Sequence, residues 1–234
     1  MLDWKKTFAV IVQTLNRSHF KSLLKGHANL GNNGQEFYDL AFGHAVMVLK
    51  IDDEPYYKGY RPSLTGNEEL RRAFNSLYNA QRDLQITEAE FQIEKRREKI
   101  KEDFENIKEI FKGTVPAVIC DERKMYRPRH ERGLSKTTNA NLIYRDWSCN
   151  VDEVRSTLTH VENADQGKKY YSWYPDTASK PDDAPDHAPV HNCVTWIIKT
   201  QRESMSLPLL PSVTNGSITE FAKCLRESET GDIV

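Results

Sequence analysis

The amino-acid sequence predicts an α+β fold: a small antiparallel sheet packed on a late, Cys-bearing helix, with a helical hairpin inserted between strands. Three observations predict it. Short β-branched and aromatic runs bounded by turn residues stand towards both ends of the chain. A long central segment carries apolar residues at heptad-like spacing. An apolar-faced helical pattern opens at Cys193, directly behind a Pro-rich loop. At 234 residues the chain is long enough for one sizeable core with an insertion, and short for two full domains. The division that follows is a core of residues 1–66 and 113–234, with residues 67–112 as the inserted hairpin.

Taken in order, Thr7 to Leu15 is rich in β-branched residues and reads as a first strand. Gly31-Asn32-Asn33-Gly34 is a turn cluster, residues 41–51 form a second apolar strand, and Asp52 to Pro55 turn the chain into a third, PYYKGYRP. Then the period changes. Leu70, Phe74, Leu77 and Leu84 recur at steps of 4, 3 and 7, and Ile93, Ile100, Phe104, Ile107 and Phe111 at steps of 7, 4, 3 and 4. That spacing predicts two helices packed on one another, the second opened by a capping box of Thr87 and Glu90. With 11 acidic and 10 basic residues, the hairpin reads as a solvated, charge-balanced arm.

After Gly113 and Pro116 stop the second helix, VPAVICDE and NLIYRDWSC read as strands. Ser148 or Asn150 is placed to cap a helix from Val151 to about Val161. KKYYSWYP reads as a short aromatic strand, residues 176–190 as an exposed Pro- and Asp-rich loop, and HNCVTWIIKTQRES as a helix. A last short helix runs from Ser217 to Arg226.

Composition narrows the function classes. The net charge is −1, from 33 basic and 34 acidic residues, so no basic surplus argues for a nucleic-acid or anionic-membrane partner. No apolar run approaches the roughly 18 residues of a membrane span, and Phe8 to Val12 is too short for a signal-peptide core. The four cysteines, Cys120, Cys149, Cys193 and Cys224, form no CxxC pair, which argues against a disulfide framework and for reduced thiols in a cytoplasmic, cytosol-like compartment.

Chemistry is expected at Cys193. A thiol at a helix start meets unsatisfied backbone N–H groups and the positive end of the helix dipole, which stabilise a thiolate and a developing oxyanion. A base must then stand nearby, and His44, at the mouth of the strand GHAVMVLK behind Gly43, is the candidate imidazole. The bland reading of each is a small buried hydrophobe for Cys193 and a structural or surface histidine for His44.

The order of Gly43-His44-Ala45, the aromatic run Tyr170 to Pro175, His191-Asn192-Cys193 and the Leu207-Pro208 exit resembles the permuted papain-like cysteine hydrolases. That broad group includes lecithin retinol acyltransferase-like proteins and permuted deubiquitinase-like peptidases. The similarity covers residues 7–60 and 141–211, about half the chain. The resemblance implies that His44 deprotonates Cys193, that the thiolate attacks a carbonyl to give a thioester intermediate, and that no cofactor takes part. It also implies that Asn192 fixes the loop before the nucleophile.

The sequence departs from the family at the residue that orients the imidazole. On the following strand stand Tyr57, Lys58 and Tyr60, of which only the tyrosines accept a bond from it; His187 or His191 is an alternative positioning or oxyanion donor. A metal reading of His187, His191 and Cys193 with Asp182, Asp183 or Asp186 is the weaker alternative. The implied substrate is a protein or peptide, with the hairpin as a partner-docking arm or a lid. The Glu-rich end RESETGDIV is compatible with export as a bacterial effector into a host cytosol. The competing class is a non-catalytic interaction module on a hydrolase fold, acting through residues 67–112.

Overall fold

The computed structural model describes residues 7–14, 42–65, 67–85, 90–124, 126 and 142–227. Among them seven strands form one sheet: β1 (Phe8–Gln13), β2 (His44–Ile51), β3 (Glu54–Pro62), β4 (Val115–Asp121), β5 (Leu142–Trp147), β6 (Tyr170–Tyr171) and β7 (Val190–His191). Their order is β5-β1-β2-β3-β4-β6-β7. The sheet is mixed rather than purely antiparallel, a correction to the expected architecture. Tyr170 pairs with Val190 in parallel because the chain leaves β6, crosses the Pro-rich loop and returns in the same direction. The aromatic strand expected around residue 170 also shortens to two residues.

β2 and β3 join through Asp52 and Asp53, both with positive φ (49° and 67°), the left-handed two-residue turn that suits the twist of a hairpin. The turn cluster at residues 31–34 and the capping Thr87 lie outside the described residues.

Both faces of the central strands are buried, and strict alternation sorts their side chains. Phe8, Val10 and Val12 of β1, Ala45, Met47 and Leu49 of β2 and Tyr60 of β3 point to the face that joins the large core cluster. Ala9 and Ile11 of β1, Val46 and Val48 of β2 and Tyr57 of β3 point to the other, where Tyr126 and Leu142 meet them. A strand apolar at every position but its last, as β1 is from Phe8 to Val12, signals burial on both sides.

Five α-helices stand among the described residues: α1 (Glu68–Gln85), α2 (Glu90–Lys112), α3 (Val151–Asp165), α4 (Cys193–Ser204) and α5 (Ile218–Glu227). Asn150 caps α3, its side chain accepting from Asp152 N at 2.9 Å. Helices α1 and α2 lie between β3 and β4 in the chain and pack chiefly on one another. Leu70, Leu77, Leu84, Ile100 and Ile107 fill their seam. Two polar clasps fix the register: Ser76 Oγ donates to Asp103 Oδ2 at 2.8 Å, and Arg96 pairs with Asp83 at 2.9 Å.

The base of this hairpin is held by rings. Phe42 stacks on Phe104 at 4.7 Å between centroids, and Phe111 meets Tyr171 at 5.7 Å and Trp173 at 5.4 Å. The amide of Trp173 donates to the carbonyl of Phe111 at 2.9 Å. Truncating Phe111 to Ala is therefore expected to destabilise the protein by about 3–5 kcal/mol, whereas Phe91→Ala, on an exposed side chain, stays within about 0.5 kcal/mol. Urea unfolding of both variants checks this. Equal midpoints for the two would show that the hairpin is not anchored through Phe111.

Candidate functional site

The start of α4 is held by a capping box. Asn192 takes extended dihedrals, and its Oδ1 accepts from Val194 N at 3.0 Å and Thr195 N at 2.9 Å. Thr195 Oγ1 accepts in return from Asn192 N at 3.0 Å. The Asn192 amide reaches Gly216 O at 3.2 Å, tying the 3₁₀ turn before α5 to this corner. Asn192 thus fixes the loop, and it also occupies the second and third amides of the helix. The expected oxyanion donors are the amide of Cys193 and its neighbours, and of that set the cap takes the amides of Val194 and Thr195.

Cys193 is 4 % exposed and belongs to the large core cluster with Val194, Trp196 and Ile197. Tyr60 stacks on Trp196 at 5.6 Å and meets the edge of His191 at 6.0 Å, so Tyr60 and His191 stand on the Cys193 side of the sheet. The Tyr60 hydroxyl donates to Tyr170 O at 2.8 Å. Burial pushes the His191 imidazole down to about 4, with the positive charge of Lys199 acting in the same direction, so His191 is neutral at physiological pH. His187 lies exposed in the Pro-rich loop.

His44 lies elsewhere. It pairs with Gln13 across β1 and shares its parity with Val46 and Val48, which puts its side chain on the face opposite the α4 cluster. Its ring stands 6.2 Å from Tyr126, and its Nε2 lies 3.3 Å from Glu122 Oε1. Glu122 in turn binds Arg61 through Nε, and through Nη2 at 3.2 Å. His44, Glu122 and Arg61 are 1 %, 2 % and 4 % exposed. Burial raises the Glu122 carboxyl, but His44 and Arg61 overcome it and pull the group down to about 2.

Gly59 makes this cluster sterically feasible. A Cβ there would stand 2.5 Å from Glu122 Oε1 and 2.9 Å from His44 Nε2. Only a residue without a side chain leaves room for the two groups to meet over the strand.

The expected dyad is therefore divided by the sheet: Cys193 and His191 belong to one face, His44 to the other. Tyr60 cannot orient His44 because it too points to the α4 side. The group that touches the imidazole is Glu122, which sequence reasoning missed. Its only signal was a second acidic residue closing the apolar run VPAVICDE, which reads as a turn. Arg61 carried a weaker one, its shared parity with Tyr57 and Gly59 on β3. Among the described residues no group of three or more His, Cys, Asp or Glu side chains is placed to hold a metal ion, so the metal reading of His187, His191 and Cys193 finds no ligand set there.

No protein-family model, curated protein or solved structure matches the chain. Among the described residues no helix is long and apolar enough to cross a membrane.

Two measurements follow from the buried cluster. Because the folded Glu122 value lies below its ordinary one of about 4.5, its stabilisation is complete above that pH and is lost as pH falls towards about 2. On the order of 3 kcal/mol is at stake. Glu122→Gln leaves Arg61 and His44 buried without their anion and is expected to lose about 3–5 kcal/mol at pH 7 while flattening the acid limb. Urea midpoints at pH 7 and pH 3 test this, and a wild-type midpoint unchanged between them would refute the depressed carboxyl. Separately, Asn192→Ala should lower stability by about 1–2 kcal/mol through the lost cap; calorimetry that found no change would mean the box is not holding α4.

Proposed function

We propose that the chain is a protein-interaction module built on a hydrolase-like scaffold, with the α1–α2 hairpin as its docking arm. One observation carries this reading. β3 and β4 are antiparallel neighbours, paired from Lys58↔Asp121 to Pro62↔Ala117. Such neighbours need a connection of only about 2–5 residues. The chain instead inserts everything from Ser63 to Thr114, and most of that length packs against itself rather than on the core. An arm with its own seam, clasps and charged exterior adds little to the sheet; a docking role accounts for it.

The order of a His-bearing strand before a Cys-bearing helix keeps the permuted papain-like scaffold as the frame of this proposal. The enzyme reading is a thiol hydrolase acting on a protein or peptide through a thioester. It draws support from the His44–Glu122 pair, an imidazole beside a carboxylate. It is disfavoured by the sheet between that pair and Cys193. In the module, Cys193 is a small core side chain.

Two experiments decide. A thiol-reactive acyl probe is expected to leave Cys193 unlabelled in the folded protein and to reach it only on unfolding. Rapid labelling confined to Cys193, and lost in His44→Ala, would overturn the reading in favour of the hydrolase. A photo-cross-linking residue at Phe91 on the arm should capture a discrete protein, whereas one at exposed His160 on α3 should not. Equal capture at both positions, or none, counts against the arm.

A further inference from the structure

Between the arm and the start of α4 runs a strut of two residues, Ser172 and Trp173. At the arm end both reach one carbonyl in the last turn of α2: Trp173 N donates to Phe111 O at 2.9 Å, and Ser172 Oγ donates to it at 3.4 Å. At the other end the strut meets the residues that open α4. Ser172 N donates to His191 O at 3.1 Å, and Trp173 O accepts from Asn192 Nδ2 at 3.4 Å. The N–H of Trp173 thus holds the arm, and its C=O holds the cap.

Asn192 is the junction. Among the described residues its side chain makes four bonds: its amide donates to Trp173 O and Gly216 O, and its Oδ1 accepts from Val194 N and Thr195 N. A side-chain amide has two donor hydrogens and two acceptor lone pairs, so every site is used. Nor is there room for Asn192 to slide. A Cβ on Gly216 would stand 2.5 Å from its Oδ1 and 2.5 Å from Thr195 Cγ2. In a corner packed this closely, a displacement at one bond is passed to the others rather than absorbed.

We infer that this strut is a relay: the position of the arm is transmitted through Trp173 to Asn192 and sets how far the α4 start opens and Cys193 is exposed. The inference rests on the docking-arm reading and gives it an output. Two states are involved. In the closed state, that of the structure, Asn192 bonds Trp173 and caps α4, and Cys193 is 4 % exposed. In the open state Trp173 moves with Phe111, Asn192 gives up that carbonyl, the amides of Val194 and Thr195 lose their cap, and the thiol reaches solvent. The clasps Ser76–Asp103 and Arg96–Asp83 lie within the hairpin, so the arm moves on the strut as one body. A partner that prefers one arm position shifts the equilibrium by its difference in affinity for the two states. By reciprocity, a contact at the α4 corner changes the arm's affinity for its partner.

Hydrogen exchange at the amides of Val194 and Thr195, with mass-resolved alkylation of Cys193, tests the relay in the full chain. Phe104→Ala loosens the base of the arm through Phe42 rather than at the strut itself. Ile11→Ala, a deletion on the opposite face of the sheet, is the control. After correction for the change in urea-measured stability, Phe104→Ala is expected to speed both readouts about fivefold or more beyond the control. Because Asn192 carries the relay, Phe104→Ala should add little once Asn192→Ala is present. Phe42→Leu, a milder change in the same stack, should move the rates in the same direction and serves if Phe104→Ala does not fold. Rates that rise no further than in Ile11→Ala, or effects of Phe104→Ala and Asn192→Ala that simply multiply, overturn the relay. If they do so while Phe91 still captures a partner, the docking arm stands and its output does not.

Discussion

Burial of the central strands on both faces is the constraint on which the rest of the structure depends. β1, β2 and β3 have no solvent side among their middle residues, so each side chain is committed to one of two interiors by its parity alone. Ala45, Met47 and Leu49 go with the α4 cluster; His44, Val46 and Val48 go with Tyr57 and Tyr126. A polar residue at an even position of β2 must then find its partner on the second face. His44 finds Glu122, and Glu122 finds Arg61. Three nearly sealed polar side chains are tolerable there because the carboxylate lies between two basic groups.

The same commitment explains Cys193. Its helix begins where Asn192 folds back on the first turn, and Cys193 is buried in the cluster that also holds Val194, Trp196, Ile197 and Tyr60. Two of the helix-start amides that made the position attractive chemically, those of Val194 and Thr195, are satisfied by Asn192 just before it. A capping box and an oxyanion compete for the amides of Val194 and Thr195, and here the cap has both.

The hairpin follows a different logic. Its heptad seam is closed locally, and its polar clasps join α1 to α2 rather than to the sheet. The ring cluster of Phe42, Phe104, Phe111, Tyr171 and Trp173, with the bond from Trp173 N to Phe111 O, ties it down. Stability and exposure are thus separated along its length: a packed aromatic base near the core, and a charged outer ridge available for contact.

The sequence by itself determined the elements whose cause is local. The heptad steps of Leu70 to Phe111 placed both helices, the Asp52-Asp53 turn placed the β2–β3 hairpin, and Asn150 marked a helix start, because period, turn chemistry and capping act over a few residues. The parallel pairing of β6 with β7 was not legible, since it depends on where a long loop returns. Nor was the face to which His44 points. Alternation tells which residues travel together, but only the packing of helices on one side of the sheet decides which set meets Cys193. Glu122 and Arg61 became partners of His44 for the same reason: residues far apart in the chain acquire a shared environment only when three strands lie side by side.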